Sequence, residues 1–260
     1  MDLGLRGKVA IVAAASKGLG FAVARGLAAE GAQVAICARD GKTLSAAAAG
    51  IGPDVMASAV DVTNEEQVKA FVESVRQRFG RVDICVTNAG GPPSKSFEQT
   101  SPADWEAAVR LNLMSTLHFA YAVLPGMKAQ GWGRLLTITS VSVKQPLDGL
   151  ILSNSVRAAV AGLVKSLANE YGAFGVTVNN VCPGYTATDR LNALASKLAA
   201  EQQTDETTIK ERWAALTALK RVATPEEFAD AVVFLASDRA SYLTGVSLAV
   251  DGGLTRGLLG

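Results

Sequence analysis

Short apolar runs alternate with helix-forming stretches along this chain, and that order constrains its fold more than any other feature. The apolar runs, which we predict to be strands, are Lys8–Ala13, Gln33–Ala38, Asp54–Val62, Val82–Thr87, Arg134–Thr139, Val176–Val181 and Val246–Val250. Helices are predicted from Gly18 onward and over Asn64–Phe79, Pro102–Ala129, Asn154–Tyr171 and Pro225–Ala236. Such alternation indicates βαβ units, and runs that stay apolar are typical of strands buried on both sides. We therefore predict an α/β fold: a doubly wound parallel sheet with helices on both faces.

The length and composition of the chain restrict its possible partners and chemistry. A chain of 260 residues fits one α/β domain, and a net charge of +1 gives no reason to expect nucleic acid or a membrane as partner. A single histidine, His118, argues against a His-rich metal site, and we predict no metal. Cys37, Cys85 and Cys182 lie in apolar runs, so buried free thiols are expected. With no recognisable targeting segment or span of ~20 apolar residues, we expect a cytoplasmic protein.

One connection is longer and more polar than the others. Thr186–Lys220 follows the sixth predicted strand. Ligands of doubly wound sheets bind outside the carboxyl ends of the strands, and a long connection there often covers the ligand. We predict that residues 186–220 form a mobile, helical lid over a small-molecule substrate.

The loop between the first strand and the first helix carries the strongest binding signal. It reads Ala13-Ala14-Ala15-Ser16-Lys17-Gly18-Leu19-Gly20. Glycines in such a loop let the backbone approach a pyrophosphate, which the helix N-terminus attracts through free N–H groups and its dipole. A Rossmann-like dinucleotide site is therefore expected here. The residues predicted to form it are Ala14, Ser16, Lys17, Gly18, Leu19 and Gly20.

The chain resembles the short-chain dehydrogenase/reductase family from Leu5-Arg6-Gly7-Lys8 to Asp251-Gly252-Gly253. Its loop is similar to the family's Thr-Gly-x-x-x-Gly-x-Gly, with Ala13 and Ala14 in place of Thr and the first Gly. Alanine suits that position if its φ is negative. The resemblance implies more cofactor contacts, which are Asp61, Val62, Asn88, Ala89, Gly90, Pro183, Gly184, Thr186 and Thr188.

The charges near the expected adenosine ribose predict which dinucleotide binds. A carboxylate at the end of the second strand would accept the ribose 2′-hydroxyl of NAD(H). This position is Arg39 here, and Lys17 precedes the second glycine, so two cations favour the 2′-phosphate of NADP(H). Asp40 is the contrary signal, because a shift of one residue would restore an acid. We predict NADP(H), with NAD(H) as the alternative.

The catalytic positions depart from the family pattern. The resemblance implies a tetrad of Asn, Ser, Tyr and Lys, and this chain has Asn112, Ser140, Ser153 and Arg157 at those positions. None of the four tyrosines has a lysine four residues later: Tyr121, Tyr171, Tyr185 and Tyr242 are followed by Pro125, Gly175, Asp189 and Val246. A serine hydroxyl is a much weaker acid than a phenol. Arg157 could still bind the ribose, but a permanently charged guanidinium cannot relay protons as Lys does.

Three functions are compatible with this altered site. The first is reduction of a conjugated C=C bond, in which Ser140 and Asn154 or Ser155 stabilise an enolate; the chain resembles a divergent branch without the tyrosine that includes a conjugate reductase of bacilysin biosynthesis. The second is ordinary ketone or 3-oxoacyl reduction with a relocated proton donor, Lys144 or Tyr185. The third is NADP(H) binding without turnover. Non-redox use of the site is disfavoured because the cofactor loop is retained.

Assembly is also implied by the resemblance. Family members pair two helices across a two-fold axis, which implies a homotetramer or a homodimer. The corresponding helices here are Pro102–Ala129 and Asn154–Tyr171. The second carries small residues at Ala158, Ala159, Ala161 and Gly162. These positions are compatible with an interface and equally with close packing inside the chain.

Overall fold

The protein forms a single seven-stranded parallel sheet. The structure, a computed structural model, describes residues 1–258. The strands are β1 (Val9–Ala13), β2 (Gln33–Ala38), β3 (Met56–Ala59), β4 (Ile84–Thr87), β5 (Gly133–Ile138), β6 (Val176–Pro183) and β7 (Ser247–Val250). Their order in the sheet is β3-β2-β1-β4-β5-β6-β7, and every pairing is parallel. The predicted doubly wound, Rossmann-like fold is confirmed.

Helices cover both faces of this sheet. They are α1 (Gly18–Ala29), α2 (Gly41–Ile51), α3 (Glu65–Phe79), α4 (Pro102–Val109), α5 (Ser115–Gln130), α6 (Ile151–Tyr171), α7 (Asp189–Glu201), α8 (Glu206–Leu216) and α9 (Pro225–Ala236). Helices α1, α2 and α9 bury apolar side chains against one face. Helices α3, α5 and α6 do so against the other. Each layer therefore contributes its apolar stripe to a core on its own side of the sheet.

The edge strand β3 differs from the prediction. Asp54–Val62 was expected to form a strand buried on both faces, but β3 covers only Met56–Ala59 and its residues alternate between partial burial and exposure. β3 pairs with β2 alone, so it has one free edge and less cover than the inner strands. The central strands β1, β4 and β5 are buried along their whole length, as predicted.

Two helical predictions also need correction. Helix α2 was not predicted, and its sequence is alanine-rich with glycine at both ends. The predicted continuous helix Pro102–Ala129 is divided into α4 and α5 by a π-helical turn at Arg110–Met114. A π turn inserts an extra residue into a helix and is frequent at functional sites. This one contains Asn112, so the irregularity lies at a predicted site residue.

Residues 186–220 are helical, as predicted, and carry a small apolar cluster of their own. Ala195 and Ala199 of α7 pack with Ile209 and Trp213 of α8. This cluster is separate from the two cores against the sheet. Within residues 1–258, no helix is long and apolar enough to cross a membrane.

Candidate active site

The loop after β1 lies beside β4, where the direction of strand order reverses. Ala14 has a φ of +49°, in the left-handed region. Alanine would be unstrained here only with a negative φ. This condition is not met, so Ala14 is strained. The backbone is held there because Asn88 Nδ2 donates to the Ala14 carbonyl over 3.4 Å. A Cβ on Gly20 would lie 2.6 Å from the same carbonyl oxygen, so only glycine fits at residue 20.

The N-terminus of α1 suits a phosphate. Lys17, at its N-cap, forms no side-chain cap with any residue in the range 1–258, and the first turn is free of acids. By contrast, side chains cap α2, α3, α7, α8 and α9. Uncapped N–H groups and the helix dipole together attract an anion. The observed loop therefore fits a dinucleotide pyrophosphate.

The charged residues that predicted NADP(H) or NAD(H) are Arg39, Lys17 and Asp40, and the structure shows the contacts of each. Arg39 is exposed, and its charge helps to lower the pKa of Asp61, although the hydrogen bond from the Thr63 backbone has the larger effect. Lys17, which is exposed, has its Nζ 3.6 Å from the Asp189 carboxylate of α7. Asp40 caps α2, accepting from Thr43 N over 2.7 Å. The acid that favoured NAD(H) thus has a structural role.

The remaining predicted cofactor residues surround the same cleft. Asn88, Ala89 and Gly90 follow β4, and Asp61 and Val62 follow β3. Pro183 ends β6; a Cβ on the next residue, Gly184, would lie 2.7 Å from Asp251 Cα. Thr186 is buried, and Thr188 caps α7 while facing Gly18. The start of α7, in the segment predicted to form a lid, therefore lies next to the glycine loop.

The four tetrad positions lie around the carboxyl end of β5. Asn112 is buried, and its Nδ2 donates to Ala108 O over 3.3 Å. Ser140 is the second residue after β5, and its Oγ accepts from Ser142 N at 3.1 Å. Ser153 and Arg157, each 8% exposed, share one face of α6. The sequence reasoning therefore identified residues that the fold brings to one place.

Arg157 is held against the backbone. Its Nη1 donates to the carbonyls of Ile138 at 3.2 Å and Thr139 at 2.7 Å. Burial and, to a smaller extent, the positive charge of Arg190 lower the pKa of Arg157 to about 10. The guanidinium remains protonated at neutral pH. Arg157 can therefore hold and polarise a neighbour but does not deliver a proton.

Asn154 and Ser155, the further enolate-binding candidates, differ in their surroundings. Asn154 Nδ2 donates to Leu147 O over 2.9 Å, and its Oδ1 accepts from Leu147 N. It therefore fixes the loop before α6. Ser155 is exposed on the outer face of the helix, with Ala158, Ala159 and Gly162. A substrate contact by either residue stays a prediction.

The two candidates for a relocated proton donor differ in surroundings. Tyr185 stacks on Trp213 with ring centroids 5.1 Å apart, and burial raises its pKa. A raised pKa makes the phenol a poorer acid. Lys144 lies near Cys182: burial raises the pKa of that thiol, while the charges of Lys144 and Arg157 act in the opposite direction. Tyr185 therefore packs against α8, and the Lys144 charge acts on Cys182 of β6.

Two features of the site escaped sequence reasoning. Arg190, in the first turn of α7, donates from Nη1 to Gly91 O over 3.3 Å and so reaches across the cleft. A small pocket of about 10 Å³, the size of one water molecule, lies between β4, β5, α5 and α6. Its lining includes Thr87, Asn112, Thr116 and Arg157. The only signal for the Arg190 contact in the sequence is an arginine at the start of a helix in residues 186–220. The small pocket gives no signal in the sequence.

The sheet topology and the loop after β1 together define a Rossmann-like protein. Comparison with known proteins identifies its family. Residues 13–255 match the family model described as enoyl-(acyl carrier protein) reductase. The chain is 36% identical over 252 residues to the 3-oxoacyl-[acyl-carrier-protein] reductase FabG of Vibrio cholerae serotype O1, covering 97% of this chain and 99% of that one.

Two solved structures are similar over almost their whole length. L-sorbose reductase from Gluconobacter frateurii, in complex with NADPH and L-sorbose, has a TM-score of 0.94 and 36% identity, covering 99% of this chain and 100% of that one. YwfH, an NADPH-dependent reductase of bacilysin biosynthesis, has a TM-score of 0.92 and 25% identity, with coverage of 96% and 99%. This chain belongs to the short-chain dehydrogenase/reductase family of oxidoreductases.

Proposed function

We propose that this protein is a cytoplasmic NADP(H)-dependent reductase that transfers hydride to a conjugated C=C bond or an activated carbonyl of a small molecule. The proposal is supported by the α6 face, where buried Ser153 and backbone-bound Arg157 stand at the positions that the sequence resemblance assigns to the family's tyrosine and lysine. Neither supplies a proton near neutral pH. Hydride addition to the β-carbon of an enone suits such a site, because the enolate formed needs hydrogen bonds and positive charge rather than a strong acid.

The proposed role of each residue follows from its position. Ser140 Oγ donates a hydrogen bond to the developing enolate oxygen. Arg157 contributes positive charge beside it. Asn112, within its π turn, lines the water-sized cavity next to Arg157, where a held water would connect the site to solvent. Protonation of carbon by solvent completes the reduction.

NADP(H) is the cofactor in this proposal. Both solved relatives named above are described as NADPH proteins. The uncapped α1 N-terminus would hold the pyrophosphate, exposed Arg39 the 2′-phosphate, and Arg157 and the residues after β4 and β6 the nicotinamide end. The cofactor supplies the hydride. The capping role of Asp40 supports the preference over NAD(H), because its carboxylate is committed to Thr43 N.

A ketone or 3-oxoacyl reductase is the second candidate. The relationship to FabG and to L-sorbose reductase favours it, since both names describe carbonyl reduction. This function needs a relocated acid. Lys144 is the better candidate, because Tyr185 is stacked on Trp213 and its pKa is raised by burial.

The proposal includes assembly as a homotetramer or homodimer. Ala158, Ala159 and Gly162 on α6 point to solvent rather than into the core, and a Cβ on Gly162 would meet no atom within 4 Å. Tyr121, on α5, is 72% exposed. Small exposed residues on α6 and an exposed aromatic residue on α5 suit close approach of a second copy.

Removal of the Ser140 hydroxyl tests the proposed chemistry. Stopped-flow oxidation of NADPH is measured with matched panels of enones and simple ketones. Ser140→Ala should lower the turnover number for enones by about 10²–10³, the usual effect of losing one oxyanion donor, while NADPH affinity stays the same. Ser142→Ala is the matched control, because the buried Ser142 hydroxyl has no hydrogen-bond partner in the described chain. Full activity in the Ser140 variant would remove this residue from the mechanism. Oxidation of no substrate by wild type would favour a non-catalytic NADP(H)-binding protein.

A further inference from the structure

The buried strand β6 carries an asparagine whose side chain links three strands. Asn180 is fully buried, and its register neighbours on β5 and β7 are Thr137 and Ser247. Its Oδ1 accepts from Thr137 Oγ1 at 2.9 Å and from Thr139 Oγ1 at 2.7 Å. Its Nδ2 donates to Ser247 Oγ at 3.1 Å and to Cys182 Sγ at 3.3 Å. Both N–H groups and both lone pairs of the amide are therefore used, as is usual for a buried polar group.

One of these partners, Thr139, lies where the chain leaves the sheet. Pairing of β5 with β6 ends at Ile138, and Thr139 N then donates to Val181 O over 3.0 Å. In a parallel ladder, the N–H two residues beyond that acceptor would bond to the Thr139 carbonyl. The residue there is Pro183, which has no N–H. The Thr139 carbonyl is therefore free to accept from Arg157 Nη1, which it does at 2.7 Å.

The guanidinium of Arg157 depends on this carbonyl for its position. The same Nη1 also donates to Ile138 O, over a longer distance of 3.2 Å. Arg157 is buried and lines the small pocket together with Thr139. Burying a charge is costly unless hydrogen-bonding groups are held around it. The bond from the Thr139 hydroxyl to Asn180 fixes the residue that supplies one of these groups, and Ser140 follows it directly in the chain.

We propose that Thr139 is a positioning residue, whose hydroxyl, held by the Asn180 amide, sets the position of the Arg157 guanidinium. The inference rests on the proposed function for the role of Arg157 at the nicotinamide end of NADP(H). Hydrogen bonds weaken steeply when the donor is misaligned, so a guanidinium without its fixed acceptor loses contact with the cofactor. Thr137 provides the contrast, because its hydroxyl bonds to the same amide oxygen, whereas Arg157 donates to the carbonyls of the next two residues.

Two valine substitutions, each close in shape to threonine, compare these hydroxyls. The variants are Thr139→Val, Thr137→Val as the matched control, and Thr139→Ser, which retains a hydroxyl. The position of the guanidinium is read from the ¹⁵N NMR signals of the arginine side chains in the protein without added cofactor, and Arg157→Gln identifies the Arg157 signals. A guanidinium held by hydrogen bonds rotates slowly and gives separate Nη signals. Urea denaturation measures the stability of each variant.

We expect both valine variants to lose stability, because each leaves part of the Asn180 amide unpaired. Only Thr139→Val should merge the Nη signals of Arg157, and Thr139→Ser should keep them separate. Merged signals in wild type, separate signals in Thr139→Val, or merged signals in both valine variants would overturn the proposal.

Cofactor binding tests the consequence of a displaced guanidinium. NADPH is compared with 2′,5′-ADP, which contains the adenosine end of the cofactor without the nicotinamide. Thr139→Val should weaken NADPH binding by about 2- to 10-fold, the effect of losing one hydrogen bond, and leave 2′,5′-ADP binding unchanged. Thr137→Val should change neither affinity. Merged Arg157 signals with full NADPH affinity would retain the positioning role of Thr139 and refute the proposed place of Arg157 beside the nicotinamide. An equal loss of affinity for both ligands in Thr139→Val would overturn the positioning role.

Discussion

Replacement of Ala14 by glycine should stabilise the protein, although it removes a methyl group. The left-handed conformation costs an L-residue about 1–2 kcal/mol relative to glycine, and Ala14 adopts it at φ +49°. The strain cannot relax, because the Ala14 carbonyl accepts from Asn88 and is packed against Gly20. Glycine makes the unfolded chain more flexible, which offsets about 0.4–1 kcal/mol. A net gain of about 0.5–1 kcal/mol in the free energy of unfolding is expected from these two magnitudes.

The measurement is urea denaturation, with NADPH affinity determined in parallel. Ala15→Gly is the matched control: Ala15 is fully buried and is not among the residues with positive φ, so the same substitution should destabilise by more than about 1 kcal/mol. Gly20→Ala should abolish NADPH binding, because its Cβ would meet the backbone of Ala14 and Ala15. If Ala14→Gly is as destabilising as Ala15→Gly, the inferred strain at Ala14 is refuted.

Other substitutions test the cofactor and the proton donor. Arg39→Ala should weaken NADPH binding by about 1.5–3 kcal/mol, the value of a charge-assisted contact, and leave NADH binding unchanged. Both affinities are measured by fluorescence titration. Lys42→Ala, at an exposed position of α2, should change neither affinity. Ser153→Tyr combined with Arg157→Lys restores an acid and its proton relay, so the turnover of simple ketones should rise by a large part of the 10²–10⁴ that a positioned acid typically contributes. A fall in both ketone and enone turnover would contradict this reasoning. Tyr185→Phe should leave turnover within about twofold of wild type, since losing a true general acid would cost 10²–10⁴; abolished ketone reduction would instead identify Tyr185 as the relocated acid.

The strands could be predicted because their signal is local. Gln33–Ala38 is apolar after its first residue, and its predicted and observed limits agree. Asp54–Val62 failed at its ends because pairing with a single neighbour decides where an edge strand stops. Helix α2 escaped because its run of alanines has little apolar periodicity; the observed helix is anchored by Asp40, which had been considered only as a cofactor ligand.

The site was predictable where the chain positions residues through regular elements. Ser153 and Arg157 share a helical face by spacing alone, and Ser140 follows a buried strand. Side-chain direction was not predictable in the same way. Asn154 turns to Leu147 in the preceding loop, and Lys17 turns to Asp189 of α7, because these contacts depend on how the loops and helices pack. The contact between Arg190 of α7 and Gly91, in the loop after β4, could not be predicted because the two residues are 99 positions apart in the sequence.

The position of a transferred deuterium tests the central claim most directly. Cyclohexenone offers both a conjugated C=C bond and a carbonyl, so one molecule reports which group receives hydride. The protein is supplied with NADPH deuterated at both nicotinamide C4 positions, and the product is analysed by NMR. The account predicts deuterium on the β-carbon of a saturated ketone, since Ser153 and Arg157 leave the α6 face without an acid for the carbonyl. Deuterium on the carbinol carbon of an allylic alcohol would contradict it.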